Sequence, residues 1–110
     1  LLKARELISS IPIAEAVMNY ILELVMATHE PHPLIREGAS PRAAQALVRA
    51  SRARAFVERR MNVSFEDVQS VAYPVLRHRI LLNFDALAEG VSEDAVIRQI
   101  IEAKEKRIYA

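Results

Sequence analysis

Arg42 has the best-defined chemical setting in this chain. It follows Ser40-Pro41, a pair that starts helices. The serine side chain can cap free backbone N–H groups. Proline suits the first helical position because the N–H it lacks would have had no partner. A guanidinium fixed at such a start, beside the donors of a first turn, is suited to meet an anion with both its planar fork and the backbone. Lysine would supply charge without the fork. The same predicted helix carries Arg49, Arg52, Arg54, Arg59 and Arg60 against a single acid, Glu58. At about 100° per residue, Arg42, Gln45, Arg49, Arg52 and Arg60 share one side. That side reads either as a phosphate-facing stripe or as a solvated face with ion pairs to neighbouring helices, and for the outer arginines the second reading is preferred.

Other chemistries are excluded by residue type. No cysteine is present, so there is no disulfide framework, thiolate zinc site, cysteine nucleophile or iron–sulfur cluster. The two glycines cannot build a Walker A phosphate loop, and the serines lack the flanking glycines of a nucleophile elbow. There is no His-Glu-x-x-His pair. His29 and His32 flank Pro31, which removes helical ligand geometry, and His78 is distant in sequence. They read as loop histidines that cap helix ends, with no metal site expected. A self-sufficient active site is not expected.

The 110 residues carry 15 Lys+Arg against 14 Asp+Glu, a net charge of +1, with 52% apolar residues. That is not the balance of a nucleic-acid coat, an acidic tail or a disordered segment. A chain of this size buries about two-thirds of its unfolded surface, so residues 1–110 read as one domain. No signal-peptide order is present, and no apolar run reaches the roughly 18 residues that span a bilayer. Val17 to Ala27 comes nearest but is interrupted by Asn19 and Glu23. The composition is expected of a cytoplasmic protein. Beginning at Leu1 rather than Met, the chain reads as a fragment of a longer one.

The elements that must position Arg42 follow from punctuation and period. Many Ala, Leu, Arg and Glu favour helix, and no convincing period-2 stretch is present. Residues 1–8 form a short first helix with Leu2, Leu7 and Ile8 inward. The second runs from about Ala14 to Thr28, with Val17, Ile21, Leu24, Val25 and Thr28 on one face and Met18, Leu22 and Met26 widening the stripe. Pro31 and Pro33 stop it, and a loop leads to Gly38-Ala39. The third helix runs from Pro41 to about Arg60, with Ala44, Leu47, Val48, Ser51 and Ala55 as its packing face. Ser64 caps a fourth, with Glu66 and Asp67 in the first turn and Phe65, Val68 and Ala72 inward. Pro74 ends or kinks it. Residues 75–80 are a short helical turn or extended segment, and Asn83 to Gly90 a loop. The last helix starts at Ser92-Glu93-Asp94 and runs to about Ile108, with Val96 or Ile97, Ile100, Ile101 and Ile108 apolar. The predicted fold is an all-α, compact bundle of four main helices with a possible short fifth.

Five segments, in order, carry a family resemblance: Tyr20-Ile21 to Leu24-Val25-Met26-Ala27-Thr28; His32-Pro33; Gly38-Ala39-Ser40-Pro41-Arg42-Ala43; Phe65-Glu66-Asp67-Val68; and Pro74-Val75-Leu76-Arg77-His78-Arg79-Ile80. This resembles the C-terminal helical lid of MoxR-family AAA+ ATPases over about Tyr20 to Ile80. The resemblance implies a P-loop ATPase parent whose Walker A, Walker B and arginine-finger residues lie upstream. It implies that Arg42 is the sensor 2 arginine reaching toward the γ-phosphate of ATP, presented by Ser40 and Pro41, with magnesium held by the core domain. Arg77 and Arg79 match the family's Arg-His-Arg segment and are expected to pack on a neighbouring subunit or the core. The implied partners are the parent's own core domain, further copies in a ring, often a hexamer, and von Willebrand A-type domain proteins. The implied role is chaperone-like, in maturing metal- or cofactor-containing complexes. No membrane or nucleic-acid partner is expected. Where the family carries Arg after Ala-Thr, this chain has His29. The competing readings are a lid from a magnesium chelatase or helicase branch, and a freestanding helical module binding protein or nucleic acid.

Overall fold

The computed structural model describes the backbone of residues 2–30 and 32–109 and the side chains of residues 3–30 and 32–105. Six helices and one two-stranded ribbon follow in the order α1 (Leu2–Ser10), α2 (Glu15–Ala27), β1 (Ile35–Glu37), α3 (Arg42–Val57), α4 (Phe65–Leu76), β2 (Leu81–Leu82), α5 (Phe84–Glu89) and α6 (Glu93–Tyr109). The sequence-stated Leu2 and Ile108 packing positions lie outside the described side chains.

α2 is the central element. Val17, Ile21, Leu24, Val25 and Thr28 are all buried, as the period requires, and Ile21 and Leu24 are fully sealed from solvent. Each such aliphatic side chain contributes about 1.5–3 kcal/mol by leaving water. The apolar stripe is narrower than expected, because Leu22 and Met26 are exposed on the side facing away from α3, α4 and α6. Leu7 of α1 is likewise exposed. Tyr20 of α2 meets Phe65 of α4 edge-to-face, ring centroids 5.3 Å apart, a favourable aromatic geometry. Val96, Ile97, Ile100 and Ile101 of α6 complete the core.

α3 and α4 form the tightest helix pair. On α3 the packing face is small, with Leu47, Ser51 and Ala55 buried; the Ser51 hydroxyl is satisfied by donating to the Leu47 carbonyl at 2.7 Å. α4 opens on a full capping box. The Asp67 N–H donates to Ser64 Oγ at 3.2 Å, and the Ser64 N–H donates back to Asp67 Oδ2 at 2.9 Å, so two orphan donors satisfy each other's side chains. Pro74 lies inside α4 without ending it. It sits in the last turn, where only one helical bond is lost.

Two elements were not foreseen. β1 and β2 pair antiparallel, Ile35 opposite Leu82 and Glu37 opposite Leu81. Strands of two and three residues are too short to show a period. The segment expected to be a loop, Asn83 to Gly90, is instead the six-residue α5 with its boundaries. Asn83 caps it by accepting from the Ala86 N–H at 3.0 Å, and Gly90 ends it with φ 71°, a left-handed stop glycine adopts without strain.

Candidate functional site

The site is assembled where α2 ends and α3 begins. Thr28 ends α2 with its hydroxyl turned back onto the Val25 carbonyl at 2.6 Å. The same oxygen accepts the Ala39 N–H at 2.9 Å. His29 Nε2 meets the Ala39 carbonyl oxygen. Both backbone polar groups of Ala39 are therefore held by consecutive side chains at the end of α2, and Ala39 itself is fully buried. Gly38 makes this approach possible, since a Cβ there would stand 2.4 Å from the Thr28 carbonyl oxygen, a distance no side chain tolerates. The α3 start is thus stitched to the most deeply buried helix.

Three residues past Ala39, Arg42 opens α3. Its side chain is exposed, and among the described residues it has no ion-pair partner. Pro41 precedes it with φ −57° and ψ −23°, already helical, as expected of proline at a helix start. The expected serine cap is absent: no side chain closes the α3 N-terminus. Instead the Ser40 carbonyl accepts the Ala43 N–H at 2.9 Å and the Pro41 carbonyl accepts the Ala44 N–H at 3.1 Å. Two first-turn donors that an anion could have shared are consequently taken, so any ligand charge there is met chiefly by the guanidinium.

Other arginines of this helix and the turn after it are spent on structure. Arg52 Nε donates to the Ile11 carbonyl at 2.9 Å, tying α3 to the α1–α2 connection. Arg54 Nη1 reaches Asp67 Oδ1 at 2.6 Å, and Arg60 also pairs with that oxygen. Burial pushes the Asp67 carboxyl up. The Ser64 backbone bond, the Arg54 and Ser64 side-chain bonds and the Arg60 charge outweigh this and hold it below its ordinary value. Of the predicted stripe Arg42, Gln45 and Arg49 remain fully exposed, while Arg60 forms an ion pair and Arg52 a backbone bond.

The Leu76–Ile80 segment joins this region through the ribbon. β1 lies immediately before Gly38, and β2 immediately after Ile80. Asn83 continues the junction, its N–H donating to the Leu34 carbonyl at 2.9 Å and its side-chain amide to the Pro33 carbonyl at 2.6 Å. Leu76 and Ile80 are buried anchors. Arg77 forms a two-pronged pair with Asp94, 2.8 Å to Oδ1 and 2.9 Å to Oδ2, fixing the end of α4 to the start of α6. The Arg77 bond holds the Asp94 carboxyl below its ordinary value despite partial desolvation, with the Arg77 and His78 charges adding to the effect. Arg79 donates to the Val75 carbonyl at 3.1 Å and is otherwise exposed. Sequence reasoning placed Asp67 and Asp94 at helix starts but not as partners of Arg54, Arg60 and Arg77, and it did not find the Thr28–Ala39 clasp; a threonine ending an apolar helix before a Gly-Ala was the available signal for the last.

His29, Glu30, His32, Arg36, Glu37 and Ser40 line a cleft of about 900 Å³ beside the clasp. No group of three His, Asp or Glu among the described residues is placed to hold a metal ion. No single described helix is long and apolar enough to cross a membrane.

The helical bundle thus presents an exposed Arg42 at a clasped helix start. Residues 28–100 match the family model described as the AAA lid domain, and the chain belongs to that family. Its relatives narrow the branch. It is 34% identical to the chaperone MoxR1 of Mycobacterium tuberculosis over 93% of this chain and 29% of that protein. It is 36% identical to the uncharacterised protein YeaC of Bacillus subtilis over 81% of this chain and 28% of that one, and 40% identical to the protein MoxR of Paracoccus denitrificans over 62% of this chain and 24% of that one. The crystal structure of a provisionally named ATPase from Cytophaga hutchinsonii superposes with a TM-score of 0.83 at 40% identity, covering 88% of this chain and 32% of that one. The lid is therefore of the MoxR type. The chain spans under a third of the length of the curated relatives it matches.

Proposed function

We propose that this lid serves an ATP-hydrolysing parent and supplies Arg42 as its sensor 2 arginine. The observation that carries the reading is Arg42 itself: exposed, without an acidic partner among the described residues, and rooted by the Ala39 clasp in the buried end of α2. The residues fit an anionic terminal phosphate in charge and reach, and Ser40 and Pro41 set the helix start that presents the guanidinium. ATP, bound with magnesium in the core domain, supplies the phosphoryl group whose developing charge needs stabilising. A preplaced guanidinium does this without reorganising at the moment of reaction. Because Arg42 is attached through the backbone to α2 and, by the ribbon, to the Leu76–Ile80 segment, loss of the phosphate releases one contact of a rigid body rather than of a flexible arm. Lid position thereby follows nucleotide state.

The chaperone-like role, for which the name of the relative MoxR1 speaks, the ring of copies, contact of Arg79 with a neighbouring subunit or core, and a von Willebrand A-type partner form part of the same proposal. Arg77 is already engaged with Asp94 and contributes by holding that surface in shape. The test is turnover of the full-length parent carrying Arg42→Ala. A fall of about 100-fold, the scale of losing one preplaced charged donor, with the melting transition unchanged, supports the reading. Unchanged turnover overturns it.

A further inference from the structure

We infer that His29 is a positioning residue for Arg42, acting through the Ala39 carbonyl. The inference rests on the sensor reading of Arg42 and adds a residue to it. Three observations converge on Ala39 and the glycine before it. Thr28 Oγ1 takes the Ala39 N–H, the Gly38 position admits no side chain against the Thr28 carbonyl, and the His29 ring bonds the Ala39 oxygen. Thr28 and Gly38 alone fix how close the chain passes to the end of α2. They leave the peptide after Ala39 free to rotate about its own axis, because an N–H bond and a steric contact on one side do not set the direction of the carbonyl. The His29 bond sets it. That carbonyl belongs to the peptide linking Ala39 to Ser40, whose own carbonyl then accepts the Ala43 N–H to close the first turn of α3. The direction in which Arg42 leaves the helix start is thus controlled one peptide upstream.

His29 is free to play this part. Its own backbone N–H is satisfied by the Met26 carbonyl at 2.9 Å, and its ring is exposed rather than packed in the core, so its removal leaves no cavity. The bond needs an N–H on Nε2, which both the neutral tautomer protonated there and the cation provide. A long side chain ending in N–H groups, glutamine or arginine, can reach the same oxygen, whereas an aliphatic one cannot.

The experiment uses the full-length parent. In His29→Ala the turnover number is expected to fall about threefold to tenfold, the span of one net hydrogen bond, while KM for ATP stays within about twofold. His29→Gln and His29→Arg are expected to recover most of the loss, and His29→Leu none. Hydrogen exchange reads the mechanism directly: the peptide covering residues 38–43 exchanges about threefold to tenfold faster in His29→Ala and close to the parental rate in His29→Gln. If Arg42→Ala abolishes turnover but His29→Ala leaves both turnover and exchange unchanged, the positioning role is overturned and the sensor reading stands. If His29→Gln is as impaired as His29→Ala, the donor role is likewise overturned. Unchanged turnover in Arg42→Ala removes the sensor reading itself, and accelerated 38–43 exchange in His29→Ala would then still report the clasp.

Discussion

The two ends of α3 use arginine in opposite ways. At the C-terminal end Arg54 and, in the turn just past the helix, Arg60 converge on the fully buried Asp67, and their charge is consumed in locking α3 to α4. At the N-terminal end Arg42 has no ion-pair partner among the described residues, and the locking is done by a hydroxyl, an imidazole and a glycine-sized gap. The contrast shows how one helix can be both a rigid beam and, in the proposed reading, a sensor. A guanidinium paired with a buried carboxylate has its charge already matched and is held away from a ligand. Holding Arg42 through the backbone leaves its side chain available.

The comparison is broken most forcefully by substituting the two types of arginine in the parent. Arg42→Ala is expected to cost about 100-fold in turnover and almost nothing in melting temperature, while Arg54→Ala destabilises the lid and changes turnover only through stability. Paired kinetics and thermal melts check this. Next comes Gly38→Ala. A Cβ 2.4 Å from the Thr28 oxygen must drive the clasp apart, at a cost of about 1–3 kcal/mol and with a loss of turnover, because the displaced segment carries Arg42. Asp67→Asn follows, at about 2 kcal/mol, since it leaves two half-exposed guanidiniums without their anion. Its pH dependence has a definite sign. Asp67 is more acidic folded than unfolded, so its stabilisation is complete above its ordinary unfolded value and is lost as pH falls through the lower folded value. Denaturant titrations from pH 5 downward are expected to show a steeper loss for the parental lid than for Asp67→Asn. The smallest effect is expected for Asp94→Asn, which loosens the exposed Arg77 pair and is read as faster exchange at the α4–α6 junction.

The elements with strong local codes were legible. The α2 core face, the Ser64 cap and the α6 positions Val96, Ile97, Ile100 and Ile101 follow a fixed spacing, and the structure keeps them, although Leu22 and Met26 fall outside the buried stripe. The ribbon and α5 were not legible by period, being too short, although Asn83 and Gly90 are ordinary signals for the start and stop of α5. For the site, Ser-Pro-Arg fixed where Arg42 sits, but the serine side chain is not what holds it. The clasp joins Ala39 to residues ten and eleven positions away. A contact at that separation is set by how α2 and α3 pack, which no local pattern encodes. The same holds for Arg77 and Asp94, seventeen positions apart.

The central claim is a distance, and a nucleotide-bound structure of the full-length parent measures it. With a non-hydrolysable ATP analogue, the Arg42 guanidinium is expected within about 3 Å of a γ-phosphate oxygen, and that contact is expected to be absent with ADP. A guanidinium more than about 10 Å from the terminal phosphate in both states, beyond the reach of a direct charge contact, would contradict the account.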